Sequence, residues 1–278
     1  MIDLHTHSTY SDGTYSPQEL ITLAYEKGLK AIAITDHDTI DGINYAKDRA
    51  KELNIELING IEFSADYKGI EIHILGYFLD ITNKNLLALL KELEKTREKR
   101  NLELIEKLNN IGVNISLDYV KSLSSYGLIT KAHFATALLK KGYVKNRNEA
   151  FSLYLGKGKP AYVQRVLISY KEAINFILDA KGIPVLAHPI IYKMSEKDLD
   201  IAIKDLKNNG LCGIECYYPS NTLNQTNFLI CLAKKYNLKI TGGSDFHGEN
   251  RPNVSLGNIF LEKQIDYKIL EDLKTIRR

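Results

Sequence analysis

Cysteine is scarce in this chain, and long apolar runs are missing. The 278 residues include three cysteines, an odd number without the paired spacing of a metal finger. This pattern predicts reduced thiols in a cytoplasmic protein, mostly as small core residues, although Cys216 has an alternative place beside an active site. No apolar stretch reaches the roughly 20 residues that cross a bilayer, and the first residues lack the basic start of a signal peptide. We therefore expect no membrane contact.

Excess charge of one sign is also small. The 37 basic and 34 acidic side chains leave a formal net charge of +3, too little to make the whole surface a polyanion-binding face. Affinity for nucleic acid would have to come from a local patch. The sequence contains neither a P-loop nor a nucleophile elbow, but a reaction in which metal ions activate water needs no covalent protein intermediate.

The chain is rich in short apolar runs that alternate with amphipathic helical segments. Residues 31–35, for example, form a continuous apolar run, as expected for a parallel strand buried on both faces. The first helix has a clear start, with Ser16 as N-cap and Pro17 in the first turn. Repeated βα units of this length predict an α/β fold with a parallel barrel. The predicted strands span residues 2–5, 31–35, 56–61, 70–77, 183–187, 211–216 and 238–241.

One long segment, residues 81–165, interrupts the alternation. It shows no convincing long strand, and its leucines recur at helical spacing between glutamates and lysines. The charged run at 91–99 favours a solvated helix face. We interpret 81–165 as a helical insert domain that covers the active site, and residues 1–80 with 166–278 as the barrel.

Six of the seven histidines stand where an apolar run ends, together with several carboxylates. In parallel barrels, reactive groups collect at the carboxyl ends of the strands. Residues i and i+2 of a strand share one side, so His5 and His7 can converge on one ion. A single such histidine is more often a hydrogen-bonded core residue, but a whole set is typical of a metal centre. Imidazole and carboxylate without thiolate suit Zn, Mn or Fe.

Nine candidate ligands can be grouped around three divalent ions. Several such ions, a few ångströms apart, suit phosphate ester hydrolysis, because they lower the pKa of a bridging water and neutralise developing charge. The predicted groups are His5, His7, Glu62 and Asp245 for the first ion; Glu62, His73 and His188 for the second; and Asp12, His37 and His247 for the third.

Other polar residues have less certain places. Asp36 is expected either to orient a ligand histidine or to cap the following helix, and Asp38 is expected to be a cap. Basic groups in the insert and in the loop after it would bind a second phosphate or a phosphodiester backbone. The alternative is a surface helix followed by a solvated lysine loop. The candidate substrate contacts are Lys131, His133, Lys157, Lys159 and Arg165.

Together these motifs resemble the PHP family, named for polymerase and histidinol phosphatase domains. The resemblance implies a distorted (β/α)7 TIM-like barrel, three Mn, Zn or Fe ions and hydrolysis of phosphoric esters. It covers almost the whole chain. The matching residues, in family order, are His5-Thr6-His7, Thr35-Asp36-His37, Glu62, His73, His188-Pro189 and Ser244-Asp245-Phe246-His247.

The insert resembles that of the TrpH-like branch, which includes a 3′,5′-nucleotide bisphosphate phosphatase and 5′-to-3′ exoribonucleases acting on short RNA. Its Arg-Pro-His-x-Ala pattern is matched by residues 131–135, and a second segment is matched by 154–163. Lys131 in place of arginine loses a bidentate phosphate contact. This resemblance implies a phosphorylated nucleotide or a short oligoribonucleotide as substrate, and we expect no stable protein partner.

Three other functions stay open at this point. A histidinol-phosphate phosphatase would share the barrel site, although the insert favours a nucleotide. A C–N hydrolase of the wider amidohydrolase group also begins with His-x-His, but Asp12 and His37 favour a third ion. A non-catalytic module would usually have lost ligands, and none is missing from this sequence.

Overall fold

Seven strands form a nearly closed barrel in the computed structural model, which describes residues 1–124, 128–259 and 264–276. Their order is β1-β2-β3-β4-β6-β7-β8, and the short strand β5 pairs with β3 alone. The strands are β1 Ile2–Asp3, β2 Ala31–Ile34, β3 Glu56–Tyr67, β4 Ile70–Tyr77, β5 Ile168–Ser169, β6 Ile183–Leu186, β7 Gly213–Tyr217 and β8 Lys239–Gly242.

Helices connect the strands and build the long segment after β4. Many of them begin with a side-chain cap; at α1, for example, the Ser16 hydroxyl accepts from the Glu19 N–H, and the Glu19 carboxylate accepts from the Ser16 N–H. The α-helices are α1 Pro17–Glu26, α2 Asp41–Glu52, α3 Lys84–Asn110, α4 Leu117–Lys121, α5 Lys131–Lys140, α6 Arg147–Ala150, α7 Tyr170–Asp179, α8 Glu196–Asn208, α9 Leu223–Lys235 and α10 Tyr267–Lys274. A π-helix covers Phe151–Leu155, and 3₁₀ turns cover Pro189–Tyr192 and Gly248–Asn250.

The expectation of an all-parallel barrel is wrong at one strand. β4 runs antiparallel to both of its neighbours, β3 and β6. β3 and β4 are joined by Lys68 and Gly69, which both have positive φ, at 52° and 86°. A two-residue turn of this kind makes a hairpin, whereas a parallel pair needs a crossover of a dozen or more residues.

The first strand and the loop after β8 meet at the seam of the barrel. Thr6 forms a parallel bridge with Phe246, beyond the ends of β1 and β8. The fully buried Asp3 carboxylate accepts from the Ser244 N–H at 2.9 Å, the Ser244 hydroxyl at 2.5 Å and the Gly257 N–H at 2.8 Å. This network fixes the loop after β8 against the first strand.

Separate apolar clusters stabilise the barrel and the helical segment. Ile2, Leu4 and Leu75 belong to one cluster of the barrel, which also includes residues of the C-terminal helix. Leu104 and Phe134 belong to a cluster made only of residues from 104–163. α3 contributes to both regions, because its first turns pack near α7 and its last turns join the second cluster. Within the described ranges, no helix combines the length and apolar character of a membrane span.

Candidate metal centre

The nine predicted ligands lie in one largely buried cluster, with Glu62 and His73 inside β3 and β4 and the other seven on loops that follow strands. Backbone hydrogen bonds hold the loops together: the Asp245 N–H donates to the His5 carbonyl at 2.8 Å, and the His7 N–H donates to the Phe246 carbonyl at 2.9 Å. On the next loop, the Glu62 N–H donates to the Asp36 carbonyl at 3.1 Å. These bonds fix the backbone at His5, His7, Glu62 and Asp245, and therefore the direction from which these four side chains enter the cluster.

Four overlapping groups of ligand atoms form the cluster. Within each group, one nitrogen or oxygen atom per residue lies within 4.8 Å of the others. The groups are His7, Asp12, His37 and His247; His5, His7 and Asp245; His5, Glu62 and His188; and His37, Glu62 and His73. Every predicted ligand is present, but the grouping differs from the expected one. His7 is shared by two groups, and His73 and His188 lie in different groups, each with Glu62.

Several buried atoms in this cluster have no hydrogen-bond partner among the described residues. They include the Nε2 atoms of His5 and His7, Asp12 Oδ1 and Glu62 Oε2. An orphaned buried polar atom normally costs about 1–3 kcal/mol, so several in one place call for a ligand. His7 Nε2 lies 3.3 Å from Glu62 Oε2 and 3.2 Å from Asp245 Oδ1. Imidazole nitrogens and carboxylate oxygens that face one another without hydrogen-bonding geometry fit a divalent cation between them.

The electrostatics of the cluster also favour bound cations. Burial alone would raise the pKa of Glu62, but His73 and His37 hold it well below its ordinary value. Burial likewise opposes charge on His7, yet the adjacent negative carboxylates of Asp245 and Glu62 raise its pKa to about 9. The carboxylates therefore remain ionised, and they attract positive charge to the same point.

Glu215 forms hydrogen bonds with two members of the cluster, and our sequence reasoning did not assign it a role. The side chain is 0% exposed. One carboxylate oxygen accepts from His5 Nδ1 at 2.9 Å, and the other accepts from the His188 N–H at 2.8 Å. A carboxylate acceptor at Nδ1 favours the tautomer with its proton on Nδ1, which would leave the Nε2 lone pair of His5 available to a cation in the cluster. The signal available in sequence was an acid at the end of a predicted strand. Cys216, the next residue, instead packs in the apolar core.

Asp36 anchors the loop after β1. Its carboxylate accepts from the Ser8 N–H at 2.7 Å, the Ser8 hydroxyl at 2.6 Å and the Ser11 hydroxyl at 2.6 Å. Ser11 Oγ lies 3.3 Å from Nδ1 of His7, so Asp36 acts on that histidine through Ser11. The alternative, a helix cap, does not form, since α2 begins after Ile40 without a side-chain cap.

Asp38 links the barrel to the helical segment, and its expected role as a helix cap is wrong. The buried carboxylate accepts from the Ser64 N–H at 3.1 Å and from Arg97 Nη2 at 2.6 Å, and Arg165 Nη2 contacts the same oxygen. Arg165 also donates from Nη1 to Ser64 Oγ at 2.6 Å. Arg97 is 9% exposed, so the expected solvated face at 91–99 is wrong at this residue. Its burial depends on Asp38, which lies 59 residues earlier in the chain.

A strongly basic pocket lies next to the candidate metal cluster. Asp12, His37 and His73 line one side of it. Burial and the nearby charges of Arg97 and Arg165 lower the pKa of Arg100 to about 10. Crowded cations of this kind attract an anion. The rest of the lining is formed by Glu71, Arg97, Arg100, Thr130, Lys131, Ala132, Phe151, Tyr162 and Arg165.

Two of the five predicted substrate contacts line the pocket, and the other three do not. Lys131 and Arg165 line the pocket. His133 is half-buried and completes the cap of α5, where its Nδ1 accepts from the Thr130 N–H at 3.1 Å. Lys157 and Lys159 are exposed and do not line the pocket. Sequence reasoning missed a further set of lining side chains, namely Arg97, Arg100, Phe151 and Tyr162.

Comparisons with known proteins agree with this site. A family model described as the PHP domain matches residues 3–180. The 5′-3′ exoribonuclease of Haemophilus influenzae is 42% identical over 245 residues, covering 88% of this chain and 89% of that protein. The 3′,5′-nucleoside bisphosphate phosphatase of Chromobacterium violaceum is 32% identical over 258 residues, covering 92% and 90%. A solved Chromobacterium violaceum structure, described as an amidohydrolase with bound SO4 and no metal, has a TM-score of 0.89 at 30% identity and covers 99% of this chain and 96% of that one. The chain belongs to the PHP domain family.

Proposed function

We propose that the protein is a metal-dependent phosphoesterase that hydrolyses phosphate esters of nucleotides. Its substrate would be a 3′,5′-bisphosphonucleotide, a short RNA attacked from the 5′ end, or both. The observation that carries the proposal is one pocket with an imidazole–carboxylate cluster on one side and four basic side chains on another. Relatives named as an exoribonuclease and a nucleoside bisphosphate phosphatase support the choice of a nucleotide.

The nine clustered side chains would hold three divalent ions, of Mn, Zn or Fe. When bound, such ions lower the pKa of a coordinated water and neutralise charge on a phosphate. Glu62 is the carboxylate that belongs to two of the four ligand groups, as the imidazoles of His5, His7 and His37 also do. Its ionised carboxylate, and that of Asp245, provide the negative charge that holds cations close together. The proposed set is His5, His7, Asp12, His37, Glu62, His73, His188, Asp245 and His247.

The basic side of the pocket would bind the phosphate that does not react. Arg97 and Arg165 are fixed by Asp38. In the described part of the chain, Arg100 donates from Nη2 to Asn101 Oδ1 at 3.1 Å, and its buried Nε has no hydrogen-bond acceptor. Lys131 lies over the Tyr162 ring, with Nζ 4.7 Å from the centroid. Arg100 and Lys131 would therefore donate charge-assisted hydrogen bonds to a phosphate in the pocket.

The other predicted contacts have a smaller part in this proposal. His133, on the first turn of α5, would approach a ligand that fills the pocket mouth. Lys157 and Lys159 would contact only a substrate that extends beyond one nucleotide. We also propose that the protein works in the cytoplasm, since its three cysteines, Cys212, Cys216 and Cys231, are unpaired.

A direct test compares three substrates with the Mn-loaded enzyme: a nucleoside 3′,5′-bisphosphate, a 5′-phosphorylated RNA oligomer and histidinol phosphate. Release of phosphate or mononucleotide from either of the first two supports the proposal. Turnover of histidinol phosphate alone would establish the alternative phosphatase. Turnover of none would refute phosphoester hydrolysis as the function. The His7→Ala variant controls for contaminating phosphatases.

A further inference from the structure

Phe151 is an aromatic side chain at the pocket that neither metal binding nor phosphate binding requires. It begins the π-helix Phe151–Leu155, which is closed by a hydrogen bond from the Gly156 N–H to the Phe151 carbonyl at 2.8 Å. π-turns are rare and occur frequently at functional sites. The Phe151 side chain is 38% exposed, and it lines the same pocket as Asp12 and His37.

Tyr162 is a second aromatic side chain in the lining, and its position is fixed on several sides. Its ring lies under the Lys131 ammonium, and its carbonyl accepts from Lys107 Nζ at 2.9 Å. Its N–H donates to the Lys159 carbonyl at 2.9 Å. The backbone of Tyr162 is therefore held at the pocket before any ligand arrives, and Lys131 packs on its ring, so that less conformational entropy is lost when the ring makes a contact.

Several charged side chains of the remaining lining are already paired within the protein: Arg97 and Arg165 contact Asp38, and Glu71 contacts Arg165. Most of this remaining lining is charged, and Thr130 and Ala132 are the small uncharged residues in the pocket lining. A phosphate alone would leave the Phe151 ring in water. A nucleoside, in contrast, brings a flat apolar face, which stacks on aromatic side chains regardless of base identity.

From these observations we infer that Phe151 and Tyr162 form a stacking subsite for the nucleobase of the substrate. The inference rests on the proposed function and extends it, since it identifies what the pocket recognises besides phosphate. The subsite selects a nucleoside over other phosphate esters and does not discriminate strongly among the four bases. Stacking of this kind, removed by alanine substitution, typically changes affinity by roughly 5- to 150-fold per base.

The experiment compares kcat/KM for the four nucleoside 3′,5′-bisphosphates with kcat/KM for methyl riboside 3,5-bisphosphate, which lacks a base. In the wild type we expect the nucleosides to be preferred by roughly 10- to 100-fold, with the four bases close to one another. Phe151→Ala should lower the nucleoside values towards that of the baseless compound and leave the latter unchanged. Tyr162→Phe should retain the preference, because the ring is kept, whereas Tyr162→Ala should reduce it. Leu153→Ala is the matched control, since Leu153 is 47% exposed on the same π-helix and does not line the pocket.

A second measurement does not depend on turnover. The chain has no tryptophan, so the emission of a 2-aminopurine nucleoside bisphosphate can be followed without tryptophan background. Rapid mixing with wild type or Leu153→Ala should quench that emission, and Phe151→Ala should quench it much less. Equal turnover of the nucleoside and baseless substrates, with no effect of Phe151→Ala, would overturn the subsite while the proposed function stands. Absence of turnover for every bisphosphate would instead overturn the proposed function itself.

Discussion

Replacing Glu215 by glutamine should weaken metal binding without unfolding the protein. Each carboxylate oxygen has one donor, His5 Nδ1 at 2.9 Å or the His188 N–H at 2.8 Å. Glutamine keeps one acceptor oxygen and replaces the other with an N–H donor. If the amide oxygen faces His188, the amide nitrogen faces His5, whose proton must then move to Nε2. If the amide oxygen instead faces His5, the amide N–H faces the His188 N–H, and two donors lie opposite each other without an acceptor.

The magnitude follows from the role of such partners. Groups that orient metal-ligating histidines usually contribute about 10- to 100-fold to metal affinity or activity. At 1.36 kcal/mol for each factor of ten, this is about 1.4–2.7 kcal/mol. Glu215 is fully buried and serves two proposed ligands, so we expect the upper part of that range. The substitution conserves volume, so the apolar packing around residue 215 should persist.

Isothermal titration of Mn²⁺ or Zn²⁺ into chelator-treated protein measures the effect directly. Glu172→Gln is the matched control, because this exposed carboxylate caps α7 by accepting from Ser169 and belongs to none of the proposed ligand groups. The control should keep the metal affinity of the wild type. The reasoning is refuted if Glu215→Gln binds metal as tightly as Glu172→Gln while both variants are folded.

Four further outcomes are expected. Removing metal with a chelator should abolish activity, and added Mn²⁺ should restore it, as measured by phosphate release; activity that survives chelation would contradict the metal centre. His7→Ala and Asp245→Ala should each lower kcat by orders of magnitude with an unchanged circular dichroism spectrum, so that near-normal turnover would remove the residue from the centre. Arg100→Ala should raise KM for a nucleoside bisphosphate roughly tenfold or more by removing a charge-assisted phosphate contact, whereas Lys157→Ala should leave it unchanged; equal KM values would remove Arg100 from the substrate site. Asp38→Asn should lower the free energy of unfolding in urea by about 3 kcal/mol at neutral pH, because buried Arg97 loses its charged partner. Burial opposes ionisation of Asp38, but Arg165 and Arg97 keep its pKa below the ordinary value of 3.8, so its contribution is present above that pH and the gap between variant and wild type should close as the pH falls below it.

The barrel strands and the family were predictable because their signals are local. The apolar runs at 31–35, 70–77 and 183–187 became β2, β4 and β6 with bounds that differ by at most one residue. The order of the histidine and carboxylate motifs predicted the PHP family, which the comparisons confirm. Strand β5 was missed, since two residues are too few to show a period. The direction of β4 was readable in principle from Lys68-Gly69, a short turn between two strand-like runs.

The basic side of the site was much less predictable, because it depends on contacts between distant residues. A charged helical run normally indicates a solvated face, and nothing near Arg97 in the sequence shows that Asp38 will be its partner. Phe151 is exposed through a π-turn, which the α-helical period of the segment does not reveal. Local patterns therefore predicted the candidate ligands. The side chains that would recognise the rest of a substrate could be identified only from the contacts that the folded helical segment makes.

The barrel seam has a consequence for the order in which the protein can mature. Asp245 and His247 come from the loop that Asp3 and Thr6 fix beside the first strand. A growing polypeptide that has not yet exposed these two side chains lacks acceptors for the ions proposed to sit at His5 and His7. Full metal loading would thus wait until synthesis has passed His247, and ions captured at that moment would link the segment at His5 and His7 to a segment made more than 200 residues later.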